Sequence, residues 1–171
     1  MGTMKIFSLI LLSFLLLTNF SEASAQQLEK AYNDWSVFSL QNKGEKMCYI
    51  ASTPKKKTGN YKQRGEPYLL VTHRSKTVDE VSVSAGYPYK DGSSVSLAID
   101  KKDKFNLFTT IEVPEVAWAK DSAEDEKIVT AIKKGKELVA KGESKLGSKS
   151  SDTYSLNGFS RAYKHMKSLC K

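Results

Sequence analysis

Cysteine is nearly absent from this chain: among 171 residues there are two, Cys48 and Cys170. Histidine is as rare, with His73 and His165 alone. Neither histidine has another at i+3 to i+5, and no His/Cys/Asp/Glu group has the spacing of a zinc site. There is no GxSxG elbow, no SxxK, no Cys–His signature, no GxGxxG and no P-loop. The sequence therefore offers no catalytic, cofactor-binding or metal-binding residue, and the chain reads as non-enzymatic. A pair of carboxylates escapes that exclusion, because acids are plentiful and their pairing in space is not written in a sequence. No tandem repeat and no low-complexity tract is present.

A membrane-spanning segment is not expected either, although an N-terminal anchor is the rival reading of the first apolar run. The apolar run Ile6–Phe20, preceded by Lys5, is shorter than the roughly 20 residues that cross a bilayer. It is followed by Ala23-Ser24-Ala25, the small-x-small pattern of signal-peptidase cleavage. Residues 1–25 read as a signal peptide, with Gln26 opening a single domain over 26–171. That places the protein in the periplasm or outside the cell, where two cysteines have one intramolecular pairing and usually close it. A Cys48–Cys170 disulfide is expected. Closing a loop of roughly a hundred residues stabilises a fold by about 4–5 kcal/mol in the chain-entropy account.

What is abundant is positive charge, +8 in formal balance. Such a balance suits an anionic lipid or glycan or another envelope protein, with peripheral membrane contact, and export removes nucleic acid from the list. The lysines cluster at Lys55-Lys56-Lys57, at Lys101, Lys102 and Lys104, and at Lys133, Lys134 and Lys136. The first cluster adjoins Tyr61, Lys62 and Arg64 in a breaker-rich stretch, Thr53–Pro67. Lys55, Lys56, Lys57, Lys62 and Arg64 are the first candidates for partner contact. Tyr87 and Tyr89, flanking Pro88 in a turn, come second: as exposed aromatics or as rings lying back on a sheet.

The hydrophobic pattern predicts a mainly β fold. Asp34–Leu40 alternates, with Trp35, Val37 and Ser39 on one face, and pairs with "MCYIAS" as a hairpin. "YLLVTH" is a buried strand, "EVSVSAGY" alternates, and "SVSLAID" puts Val95, Leu97 and Ile99 inside. "FNLFTTIEV", "KELVAKG" and a strand through Thr153–Leu156 complete about eight. One helix is capped by Asp121 or Ser122, carries Glu124 and Asp125 in its first turn to complement the macrodipole, and stops at Gly135. A second sets Phe159, Ala162, Tyr163, Met166 and Leu169 on one face and ends at Cys170. The expected architecture is an antiparallel β-sandwich or half-barrel of about eight strands with two flanking α-helices.

These segments carry a resemblance. "DWSV", "CYIAS", "YLLVTHR", "EVSVSAGYPYKDGS", "SLAIDKKDKFNLF", "AWAKDSAEDEKIVTAIKKG" and "DTYSLNGFSRAYKHMKSLC" are similar to the invasion-associated locus B family, exported proteins of alphaproteobacteria. The resemblance covers nearly all of residues 26–171. It implies a cell-envelope protein with a β-dominated core. It transfers no catalytic residues, and the family name reports a phenotype, entry into host red cells. Some relatives have additional cysteines near the first strand and in mid-chain. Here Phe38 and "FNLFTTIEVPEVAW" stand there instead, so no second disulfide is expected. The reading is an exported, non-enzymatic envelope protein with a basic surface. Two other readings stay open: an envelope enzyme or enzyme inhibitor using a carboxylate cluster, and a secreted virulence factor contacting host erythrocytes.

Overall fold

Alternation along the strands decides the inside of this protein. In a computed structural model that describes residues 26–42, 45–74 and 78–170, Trp35, Val37, Cys48, Ile50, Leu69, Val71, Val81, Val95, Leu97, Ile99 and Leu107 are all buried. Residues 1–25, proposed as a signal peptide, lie outside the described residues, as do Gly44 and residues 75–77 of two expected turns.

The strands are β1 (Gln26–Tyr32), β2 (Trp35–Asn42), β3 (Glu45–Ser52), β4 (Lys56–Gly59), β5 (Tyr68–His73), β6 (Asp79–Ser84), β7 (Ser94–Ile99), β8 (Asp103–Thr109), β9 (Ala117–Trp118), β10 (Glu137–Glu143) and β11 (Lys149–Ser155). The helices are α1 (Ser122–Lys134) and α2 (Phe159–Leu169). All the strands join one antiparallel sheet in the order β1-β2-β3-β5-β6-β9-β8-β7-β10-β11-β4. The two-residue β9 is the seam between its halves, pairing with β6 on one side and β8 on the other. The sheet curls until β2 meets β11. The Trp35 indole N–H donates to the Ser155 carbonyl at 3.0 Å, and the Asp34 amide donates to the Asn157 carbonyl at 3.2 Å. This is the mainly β half-barrel the pattern predicts, with eleven strands where the pattern gives about eight.

The three extra strands have physical reasons for being silent. β1 is an edge strand with no buried residue, β4 is exposed throughout, and β9 is too short to show a period. The strand expected at "FNLFTTIEV" starts earlier and stops at Thr109.

Both helices lie against the inward side of the curl. Asp121 caps α1 by accepting from the Glu124 amide at 2.9 Å, and Gly135 ends it. Ile128, Val129 and Ile132 form its buried stripe. Asp125 departs from its expected role at the helix dipole. It is buried and accepts a hydrogen bond from the Val81 amide at 2.8 Å, where β6 runs beyond the reach of β9. Burial pushes its carboxyl up to about 6, against the lowering effect of the Val81 bond, and the nearby carboxylates of Glu80, Asp121 and Asp79 push the same way.

Helix α2 packs on β1, β2 and β3 through Phe159, Ala162 and Met166, with the Phe159 ring edge-on to Trp35 at 4.9 Å. The turn into it needs glycine: Gly158 sits at φ 97°, and a Cβ there would come within 1.9 Å of the Tyr32 carbonyl oxygen. At its other end Cys170 is disulfide-bonded to the fully buried Cys48 of β3.

Candidate functional site

The first lysine cluster is largely occupied by the fold itself. Lys55 pairs with Asp34 at 2.5 Å, and the bond from Lys55 holds the Asp34 carboxyl below the usual carboxylate range. Lys57 pairs with Glu66 at 2.7 Å. Arg64 is not a surface contact: its side chain is 3% exposed, as is that of its partner Asp152. Its guanidinium forks onto both Asp152 oxygens and also donates to the Ala85 carbonyl and the Tyr61 hydroxyl. Those bonds, Asp152 first, hold its pKa above the ordinary arginine value. Lys56 and Lys62 remain exposed.

Tyr87 and Tyr89 follow the second of their two readings, rings lying back on the sheet, and are not available as exposed contacts. Both rings lie inside the curl, edge-to-face at 5.5 Å, with Tyr89 1% exposed. The Tyr87 hydroxyl bonds Ser150 at 2.7 Å. The tight turn aims the rings inward because Gly142 of β10 leaves room: a Cβ there would sit 2.6 Å from the Tyr89 ring.

A group of cations without salt bridges, Lys56 among them, gathers on the solvent side of β8-β7-β10-β11-β4. Cross-strand partners point to the same side of a sheet, so the register reads that face directly. One row runs Asn106–Ser96–Lys141–Ser151–Thr58, and the next runs Lys104–Ala98–Val139–Thr153–Lys56. The inward neighbours Val95, Leu97, Leu138, Ala140 and Tyr154 are buried, so the alternation is complete. Two adjoining hollows indent the face and share Lys141. One, of about 630 Å³, is bordered by Ser96, Lys101, Lys104, Asn106 and Val139. The other, of about 410 Å³, is bordered by Thr58, Ser94, Glu143, Lys149 and Ser151. Glu143 is the acid at this border, and Lys90 already holds it at 3.0 Å. Among the described residues Lys56, Lys101, Lys104, Lys141 and Lys149 form no salt bridge, whereas Lys55, Lys57 and Lys90 do. Lys101 and Lys104 stand out in the sequence as part of a charge run. Lys141 and Lys149 were missed because each is a single lysine within a strand, and only register brings them to the others.

A third concavity, of about 500 Å³, lies between α1 and α2 and is lined by Asp79, Glu126, Lys133, Tyr163 and Lys167. Asp79, Tyr163 and Lys167 satisfy one another there. Burial pushes the Asp79 carboxyl up, but donation from the Tyr163 hydroxyl, from His73 at 2.7 Å and from Lys167 at 3.2 Å outweighs it and leaves the pKa lowered. Burial, together with the bond to Asp79, raises the Tyr163 hydroxyl. The Lys133 ammonium sits 3.9 Å from the Tyr163 ring centroid. Lys167 also comes within 3.1 Å of His73 Nδ1. The shorter contact to Asp79 places the Nδ1 proton toward the carboxylate, so Lys167 makes its bond to Asp79. His165 of α2 bonds the Tyr32 hydroxyl at 3.2 Å.

A curled antiparallel sheet plugged by two helices, the second locked by a disulfide, defines the class of protein. The sequence pattern of the invasion associated locus B (IalB) protein family matches residues 35–167, and the chain belongs to that family. No curated protein matches it. Among solved structures, the crystal structure of invasion associated protein B from Bartonella henselae is similar, with a TM-score of 0.59 and 20% identity over 82% of this chain and 95% of that one. At that identity the likeness shows the fold. No helix among the described residues is long and apolar enough to cross a membrane.

Proposed function

We propose that this protein is an exported, non-enzymatic envelope protein that holds an anionic partner against the outer face of β8-β7-β10-β11-β4. One observation carries the reading: five lysines share that face with no acid bound to them, whereas the lysines of the neighbouring loop are mostly paired. Unpaired like charges repel and weaken a fold, so their concentration on a concave surface has its physical return when an anion arrives. The closed Cys48–Cys170 bond supports an extracytoplasmic location, where such bonds persist. The non-enzymatic reading is supported by the cleft between the helices. Asp79 is saturated by three donors, and Asp125, the acid with a strongly raised pKa, does not line it.

Sedimentation with isolated cell envelopes tests this. Wild type should bind at about 0.1 M salt and be released toward about 1 M, as the screening length falls from about 10 Å to about 3 Å. K104Q/K141Q/K149Q should lose binding. K30Q/K120Q/K164Q, which removes the same charge from β1, the α1 approach and α2, should keep it. Equal losses in the two variants would reduce the effect to net charge and end the proposal.

A further inference from the structure

Resting on that reading of the basic face, we infer that its partner is a linear acidic glycan lying obliquely across the strands from Lys104 through Lys141 to Lys149. The register sets the spacing. Lys104 and Lys141 lie two strands and one side-chain row apart, and Lys141 and Lys149 lie one strand and one row apart. With strands about 4.8 Å apart and about 6.8 Å between successive same-face residues, the Cα steps are about 12 Å and about 8 Å. Lysine stems reach several ångströms either way, so the three ammonium groups can adopt an even spacing comparable to one disaccharide of an extended chain. The two hollows follow the same path and meet at Lys141.

The floor between the lysines selects the ligand class. Between Phe105 at one border and Glu143, opposite Lys149, at the other, it presents Ser94, Ser96, Asn106, Ser151, Thr153 and Thr58, short side chains with donors and acceptors at the surface. Sugar hydroxyls match such groups. Ala98 and Val139 add a small apolar strip under one hollow, suited to the C–H face of a pyranose ring. A planar bilayer fits less well, since this face is indented. The aliphatic side chains that protrude farthest, Ile111 and Leu146 at 94% exposure, belong to the β8–β9 connection and the β10–β11 turn, not to the face. Single-stranded nucleic acid is bound on successive aromatic stacking platforms, whereas the aromatics at this face, Phe108 opposite Ser94 and Phe105 at the border of one hollow, both lie on β8, away from Lys141 and Lys149.

Titration calorimetry of the oxidised protein, residues 26–171, with hyaluronan oligosaccharides tests the inference, because each disaccharide carries one carboxylate. Affinity should climb from disaccharide to hexasaccharide by about three- to fivefold per carboxylate, the size of a partly solvated ion pair, and then flatten. Each of K104Q, K141Q and K149Q should remove about one such step, and a neutral hexasaccharide should bind weakly at best. Circular dichroism would verify that the variants are folded. Affinity that does not depend on chain length, or lysine-dependent binding to phosphatidylglycerol vesicles without glycan binding, would overturn the glycan and leave the basic face standing. Glycan or vesicle binding indifferent to all three lysines would overturn both, and no binding to any probe would overturn the glycan.

Discussion

The two halves of the sheet treat solvent differently. On the outer side of β1, β2 and β3, Leu28 pairs with Phe38, Phe38 with Tyr49, and Leu40 with Met47. The Phe38 and Tyr49 rings stack at 5.1 Å. The outer positions of β7, β10 and β11 hold Ser96, Lys141 and Ser151. Inside, both halves are alike: Val37 and Ile50 in one, Leu97 and Leu138 in the other, all buried. The first half is covered by α2, pinned by the disulfide and flanked by ion pairs such as Lys55–Asp34. The second carries unpaired lysines on a polar floor. Inner alternation is what any curled sheet requires, whereas the outer code differs between halves. That contrast can be broken or sharpened by mutation.

The largest effect belongs to the covalent tie. C48A/C170A should lose about 4–5 kcal/mol by the chain-entropy account, since the bond closes a separation of 122 residues. Urea unfolding measures the loss, and hydrogen exchange should localise fraying to α2 and β3. A loss under about 1 kcal/mol would mean that Phe159, Ala162 and Met166 hold the helix by packing alone.

Next comes the buried ion pair at the boundary of the basic loop. D152A should cost about 3–5 kcal/mol because it leaves the Arg64 guanidinium uncompensated inside the protein. K57Q, which breaks the exposed pair with Glu66, should leave stability nearly unchanged. Similar losses for D152A and K57Q would contradict the division between cations that build the fold and cations that remain free.

Asp125 supplies a pH test of the seam between the halves. Its carboxyl titrates near 6 when folded, chiefly through burial, against an ordinary value of 3.8. The native state thus binds more protons than the unfolded chain between about pH 4 and 6. Stability should fall as pH rises through that window, by on the order of 3 kcal/mol, and stay lower above it. The carboxylates with lowered pKa, Asp34 and Asp79 among them, act in the opposite sense and below pH 4. D125N keeps an oxygen for the Val81 amide but cannot ionise, so its stability should not decline between pH 4.5 and 7. An equal decline in D125N would assign the effect to another group.

Asp125 also marks what the sequence could convey. Its place in the first turn of α1 was legible, as were Asp121, Gly135 and the apolar stripe, because helix ends and periods are local signals. Its bond to Val81 was not, since that depends on where β9 ends. The same division runs through the site. The buried side of β7 was legible from Val95, Leu97 and Ile99, and the disulfide from a count of two. The basic loop was misjudged because a run of lysines shows charge without its partners: Asp34 and Asp152 arrive from elsewhere in the chain, and Glu66 is brought back onto Lys57 only by the fold of the loop. Lys141 and Lys149 stayed hidden for the converse reason: the register that groups them exists only in the folded sheet.

The smallest effect carries the sharpest test of the comparison. Lys141 sits between Ser96 and Ser151 on the outer face with no acid bound to it, and it belongs to both hollows. If it contributed to the fold, K141Q would destabilise as a lost ion pair does. With no such pair, removing it relieves repulsion from the other lysines of the face and exposes nothing. K141Q should therefore leave stability unchanged or raise it by up to about 0.5 kcal/mol at low salt, with the gain vanishing as salt screens the face. Parallel urea curves at two salt concentrations resolve this. A loss of 1 kcal/mol or more would place Lys141 among the structural cations and erase the distinction between the halves. A neutral or stabilising K141Q that has also lost its partner would mark Lys141 as a residue kept for binding at a small cost in stability.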